Sequence, residues 1–97
     1  MQDEICNAIA NRNLIEFSYK EHYRLVEPYT LGVNTRGATV LSAFQVGGQS
    51  STRPIPCWGQ FNIEEIKELK ITTQKFTGNN IEYRRDDSRM THIYCQL

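Results

Sequence analysis

Net charge, closely paired cysteines and long apolar runs are all missing from this chain of 97 residues. Eleven Lys and Arg offset eleven Asp and Glu. That balance argues against a nonspecific nucleic-acid coat, whose affinity comes from many unbalanced cations meeting phosphates. The longest uncharged stretch, Gly37–Thr52, carries only Ala38, Val40, Leu41, Ala43, Phe44 and Val46 among Gly, Ser, Thr and Gln. A spanning helix needs about 20 apolar residues, so no membrane partner is expected. The opening MQDEIC lacks the basic and apolar regions of a signal peptide, and the expected location is cytoplasmic.

The three cysteines, Cys6, Cys57 and Cys95, stand dozens of residues apart. An odd, scattered set does not make a disulfide framework, which fits a reducing compartment. Zinc sites usually draw two ligands from one turn, and no CxxC or HxxxH pair occurs here. Only the fold could gather Cys6, Cys57, Cys95, His22 and His92, and buried or inert thiols are the simpler expectation. Cys57 sits in an apolar-looking run without the flanking signature of a catalytic Cys–His pair. His22, between Glu21 and Tyr23, reads as a solvated turn residue. No metal and no cofactor is expected.

What is present is a small globular domain. The 39% apolar fraction and ten aromatics exclude a disordered chain. At this length about 60–65% of the unfolded surface is buried, so the core is small. Asp3 is placed to cap a helix over about 3–11 in which Ile5, Ala8 and Ile9 share one face. Asn11-Arg12-Asn13 ends it. The period then becomes two, with Ile15, Phe17 and Tyr19 opposite Glu16 and Ser18, the mark of a strand over Leu14–Lys20. Lys20-Glu21-His22 turns into a second strand, Tyr23–Tyr29, which Pro28 confines to an edge or ends. Asn34-Thr35-Arg36-Gly37 is a turn by composition.

Thr39–Val46 is a third strand, uncharged and so expected to be buried on both faces. Gly47–Pro56 is the longest irregular connection. It is a surface excursion by composition and also a candidate ligand-facing loop. Cys57–Asn62 is a fourth strand, Asn62 caps a helical turn at Ile63–Lys67 with Glu65 at its third position, and Leu69, Ile71 and Thr73 mark a fifth strand. After the break at Gly78-Asn79-Asn80, Met90, Ile93, Tyr94 and Leu97 recur at helical spacing, while Ile93, Cys95 and Leu97 alternate as in a strand. Helix and strand both remain open there. One helix and five short strands predict a mainly β (α+β) domain over residues 1–97. Its pattern is that of a small, strongly bent β-barrel over about 14–74 with a C-terminal extension over about 78–97.

The runs AIANRNLIEFSY, YRLVEPYTLG, VLSAFQVGG and WGQFNIEEIKELKI, with a closing IYCQL, resemble the WYL domain and above all its small free-standing bacterial forms. The likeness spans nearly the whole chain, and Arg24-Leu25-Val26-Glu27-Pro28 is its most specific block. It implies an Sm-like five-stranded barrel and a regulatory, noncatalytic role of the kind found in bacterial regulators and phage-defence loci. Two departures stand out. The tripeptide that names the family aligns with Thr39-Val40-Leu41, where only the leucine survives, and Trp58–Ile63 lacks the family's two arginines. In full-length WYL regulators these positions contribute to a site for nucleic-acid or nucleotide-like effectors. No helix-turn-helix is expected ahead of the domain.

The resemblance makes Arg24 and Tyr29 the leading ligand-binding candidates. A guanidinium grips phosphate or carboxylate bidentately, and an aromatic face stacks on a base. Arg36 and Arg53, on loops, and the neutral Ser42, Gln45 and Gln60 complete the candidate set. The competing expectation pairs Arg24 with Glu16 or Glu27 across strands and places Tyr29 and Trp58 in the core. Arg84, Arg85 and Arg89 read as a solvated, charge-compensated tail. Two functions follow. The first is a module that binds a nucleotide, oligonucleotide or other anion. The second is a homo-oligomerising or protein-interaction module with a regulatory partner, docking through strand edges or a stripe of Met90, Ile93, Tyr94 and Leu97. No nucleophile–base or acid–base constellation points to an enzyme.

Overall fold

A computed structural model describes residues 1–50 and 53–97; the expected ligand loop Gly47–Pro56 therefore includes two positions, 51 and 52, that lie outside the described residues. Helix α1 spans Gln2–Asn11 and buries Ile5, Ala8 and Ile9, the face their spacing sets. Met1, not Asp3, holds the N-cap position, and no side chain caps it. Asp3 and Glu4 instead lie in the first turn, where their charge favours the positive end of the helix dipole. Arg12 ends the helix in the left-handed conformation, with φ 55°.

Among the described residues six antiparallel strands follow: β1 Asn13–Tyr19, β2 His22–Asn34, β3 Thr39–Gly48, β4 Cys57–Asn62, β5 Lys67–Lys75 and β6 Met90–Gln96. They form one sheet in the order β4-β3-β2-β1-β5, with β6 pairing β2 beyond the end of β1. The expected β-rich domain with an N-terminal helix is present, but there is a sixth strand and the sheet is not closed, since β4 and β5 at its ends do not pair. No helix among the described residues is long and apolar enough to cross a membrane.

Two strands depart from expectation for one reason. β2 does not stop at Pro28 but runs on to Asn34. Pro28 has no N–H to donate, and it falls between Val26, the last partner of β1, and Thr30, the first partner of β6. The handover between two neighbours tolerates a proline that a continuous ladder would not. The second half of β2 then offers a free edge, and Met90–Gln96 takes it as a strand. Helical spacing in the tail loses to this pairing. Gly32 permits the approach, because a Cβ there would run into the His92 carbonyl.

The sheet is covered on both faces. On one, α1 packs with Phe17, Tyr19, Val26, Leu31, Leu41, Phe61 and Ile66. Ring contacts tie Phe61 to Phe17 at 5.1 Å and to Tyr19 at 5.0 Å. On the other, Leu14, Tyr29 and Phe76 are buried with Phe44, Trp58 and Tyr83 packed against them. Cys6 of α1 and Cys95 of β6 form a disulfide across 89 positions, which corrects the expectation of unpaired thiols. Sequence spacing hides this pair, because the helix and the last strand meet only in the fold. Cys57 remains free.

Candidate functional site

Arg24 lies directly across from Phe17 in the β1–β2 ladder, so its side chain enters the core-facing side of the sheet. The residue is 7% exposed. Neither expected carboxylate is its partner. Glu16 accepts from the Tyr23 hydroxyl at 2.6 Å, and Glu27 faces Tyr29, with burial pushing its carboxyl above the ordinary range despite that hydroxyl. Arg24 donates instead to neutral oxygens: Nη1 to Gln45 Oε1 at 3.3 Å and Nη2 to the Tyr19 carbonyl at 3.2 Å. Its guanidinium carbon lies 5.6 Å from the Tyr19 ring centre and 5.8 Å from that of Phe61. Its Nε–H has no partner among the described residues.

Gln45 is 1% exposed. Its Nε2 donates to the carbonyls of Gly47 and Gln49, both at 3.0 Å, which turns Oε1 toward Arg24. Gly48 makes this local shape, since its φ is 84° and a Cβ there would meet the Tyr23 carbonyl. The Gly47-Gly48 pair thus folds the end of β3 so that a buried amide can hold a buried cation.

Arg24, Ser42, Gln45, Arg53 and Gln60 line one cavity of about 410 Å³, within the roughly 300–1,000 Å³ of small-molecule sites. Lys20 adds positive charge, Arg89 enters the lining paired with Asp87, and no carboxylate contributes to the described lining. The walls come from both faces of β4. Cys57 pairs with Gln45 and Phe61 with Leu41 on one face, while Trp58 and Gln60 project from the other. The Trp58 Nε1–H is a second buried donor without a partner among the described residues. A neighbouring cavity of about 590 Å³ shares Ser42, Trp58 and Arg89. Glu82, Asp86 and Asp87 there offset Arg84, Arg85 and Arg89, so cationic character belongs to the first cavity.

Two expected site residues lie elsewhere. Tyr29 is 1% exposed, with its ring centre 5.0 Å from Trp58, 5.3 Å from Phe76 and 4.7 Å from Tyr83. It is core, and it supports Trp58 from behind. Arg36 is exposed in the Asn34–Ala38 turn, where its backbone N–H donates to Asn34 Oδ1. It lines neither cavity. Arg89 is exposed and charge-compensated, as expected of the tail, although it also lines the cavity. Its side chain grips Asp87 through bonds of 2.7–3.1 Å, and these hold the Asp87 carboxyl below its usual range. Lys20 comes from a two-residue hairpin turn with both φ positive, and turn composition alone gave no sign of its place at the rim.

The arrangement can do one thing well. A buried cation held only by neutral acceptors is costly, and an anion entering the cavity supplies the missing charge while water is excluded. No group of His, Cys, Asp and Glu that could hold a metal occurs among the described residues. No family model, curated protein or solved structure matches the chain.

Proposed function

We propose that this chain is a noncatalytic regulatory binding module of the WYL-like, Sm-like type that senses or sequesters a nucleotide, short oligonucleotide or other anion in the cytoplasm. The observation that carries the reading is Arg24, buried and without a carboxylate partner among the described residues, in a cavity whose other charged walls are Lys20, Arg53 and the Asp87-paired Arg89. Trp58 at the rim offers an aromatic surface beside the cations, the combination that suits a base joined to a phosphate.

The test is calorimetric titration of the protein with a nucleoside monophosphate and with inorganic phosphate. Binding that weakens steeply with salt is expected. Arg24→Met should abolish it while shifting unfolding free energy by no more than about 2 kcal/mol, because relief of the buried charge offsets two lost hydrogen bonds. A loss above about 3 kcal/mol with binding retained would make Arg24 a structural residue. The assembly reading is favoured by a separate observation: among the described residues β4, β5 and β6 each have one ladder partner, leaving three open edges. The stripe expected to support it is not continuous, since Met90 is buried and Tyr94 is 48% exposed. Native mass spectrometry separates an oligomer from a monomer carrying a ligand.

A further inference from the structure

The last strand is held less by burial than by bonds. Only Met90 of the seven residues of β6 is buried, and its ladder with β2 shifts register twice. Residues 77–89, which lead into it, form neither helix nor strand. They are tied to β6. The Tyr83 hydroxyl donates to the Leu97 carbonyl at 2.7 Å, and Asp86 and Gln96 exchange hydrogen bonds of 2.8 and 2.9 Å. Between this segment and Thr30, Ser42 and Trp58 of the sheet lies the cavity of about 590 Å³, so the covering stands off the sheet there. Residues 77–97 therefore make one interlocked unit whose main apolar anchors are Tyr83 on Tyr29 and the buried Met90. The Cys6–Cys95 bond fastens that unit to α1, whose Ile5 and Ile9 are themselves in the core. Both cysteines are half-buried, so a thiolate in solution can reach the bond.

We propose that the Cys6–Cys95 bond is a reducible clasp, and that breaking it lets residues 77–97 open as a unit while the helix-covered core stays folded. The reductant is a dithiol, of the class thioredoxins carry. One of its thiolates attacks a sulfur of the Cys6–Cys95 bond, which breaks as a mixed disulfide forms, and the displaced cysteine takes up a proton. The second thiolate of the reductant then displaces the other cysteine, which takes up a proton in turn. The reductant leaves as a disulfide, and two electrons have passed to the protein. After reduction α1 keeps Ile5, Ala8 and Ile9 in the core, whereas residues 77–97 keep only an irregular ladder and two apolar anchors. Opening uncovers Tyr29 and Trp58, so an aromatic surface is presented only by the reduced protein. The inference goes beyond the anion-site reading and does not depend on it.

The experiment compares the oxidised protein with protein treated with dithiothreitol, a dithiol, under native conditions. Alkylation and intact mass count the thiols, one before (Cys57) and three after. Short-pulse hydrogen exchange is expected to show opening of residues 77–97 greater by about tenfold or more after reduction, with α1, β1 and β3 still protected. Acrylamide quenching of Trp58, the one tryptophan of the chain, should rise in parallel. Reoxidation should reverse both changes. Cys6→Ser combined with Cys95→Ser should match the reduced protein without any reductant. A bond that dithiothreitol reaches only in urea overturns the proposal. Complete reduction with unchanged exchange in 77–97 also overturns it, since the bond is then a passive staple. Exchange that rises equally in α1, β1 and 77–97 overturns it too, because the bond then holds the whole fold. None of these readouts involves an anion, so each of these failures leaves the anion-site reading standing.

Discussion

The two faces of the sheet are covered by different means and do different things. Under α1 the packing is apolar and continuous, from Ile5 and Ile9 through Phe17 to Leu41 and Phe61, and the Cys6–Cys95 bond closes it. Under the segment that leads into β6 the buried apolar cluster is Leu14, Tyr29 and Phe76, with polar walls and paired charges beside it. The cationic cavity lies around β4, where the two coverings meet, drawing Cys57 and Phe61 from one face and Trp58 and Gln60 from the other. Stability is concentrated on the first face, which leaves the second free to carry polar groups that no core would tolerate.

Substitutions can break or sharpen that contrast. The largest effect is expected for Phe17→Ala, which opens the helix-covered core and should lower unfolding free energy by about 3–5 kcal/mol in urea denaturation. Replacing Cys6 and Cys95 together by Ala should lower it by about 2–4 kcal/mol, since the bond closes most of the chain into one loop. An unchanged midpoint would mean that the packing of α1 is sufficient without the bond. On the second face, Tyr83→Phe removes the hydroxyl that donates to the Leu97 carbonyl at 2.7 Å, and about 1 kcal/mol is expected.

Asp87→Asn is expected to change stability by under about 1 kcal/mol, because its partner Arg89 has a side chain 69% exposed. It should nevertheless tighten anion binding severalfold, by releasing Arg89 to the cavity. The wild-type pH profile supplies a matching check. Asp87 is held below its unfolded value of 3.8, so its contribution is full above that value and is lost as pH falls through the lower folded one. Asp87→Asn should lower neutral-pH stability by that small contribution and so remove the acid-side loss. Finally, Arg36→Gln should leave both stability and anion binding unchanged, and a loss of binding would place the site elsewhere.

The difference between the faces also explains what could be read in advance. Ile5, Ala8 and Ile9 at helical spacing and Ile15, Phe17 and Tyr19 at spacing two report their own burial, because each pattern repeats within one element. Five of the seven candidate site residues share the cavity, yet the reason assigned to Arg24 was incomplete. Its expected alternative partners were Glu16 and Glu27 across strands, whereas its actual neighbours are a glutamine on β3 and two aromatic rings. Tyr29 had the chemistry of a ligand residue, but the C-terminal segment covers it with Tyr83.

By itself the sequence determined the elements that local periodicity and capping can specify: α1, the strand character of β1 to β5, and Asn62 as the cap of the turn at Ile63–Glu65. Balanced charge and a small core were equally legible, since both are sums over residues. Only the tertiary structure decided the strand at Met90–Gln96, the Cys6–Cys95 bond, and the gathering of Lys20, Arg24, Cys57, Trp58 and Arg89 around one cavity. Each of these joins residues far apart in the chain. A free strand edge or an unneutralised cation exists only once the sheet has formed, so no local pattern can announce it.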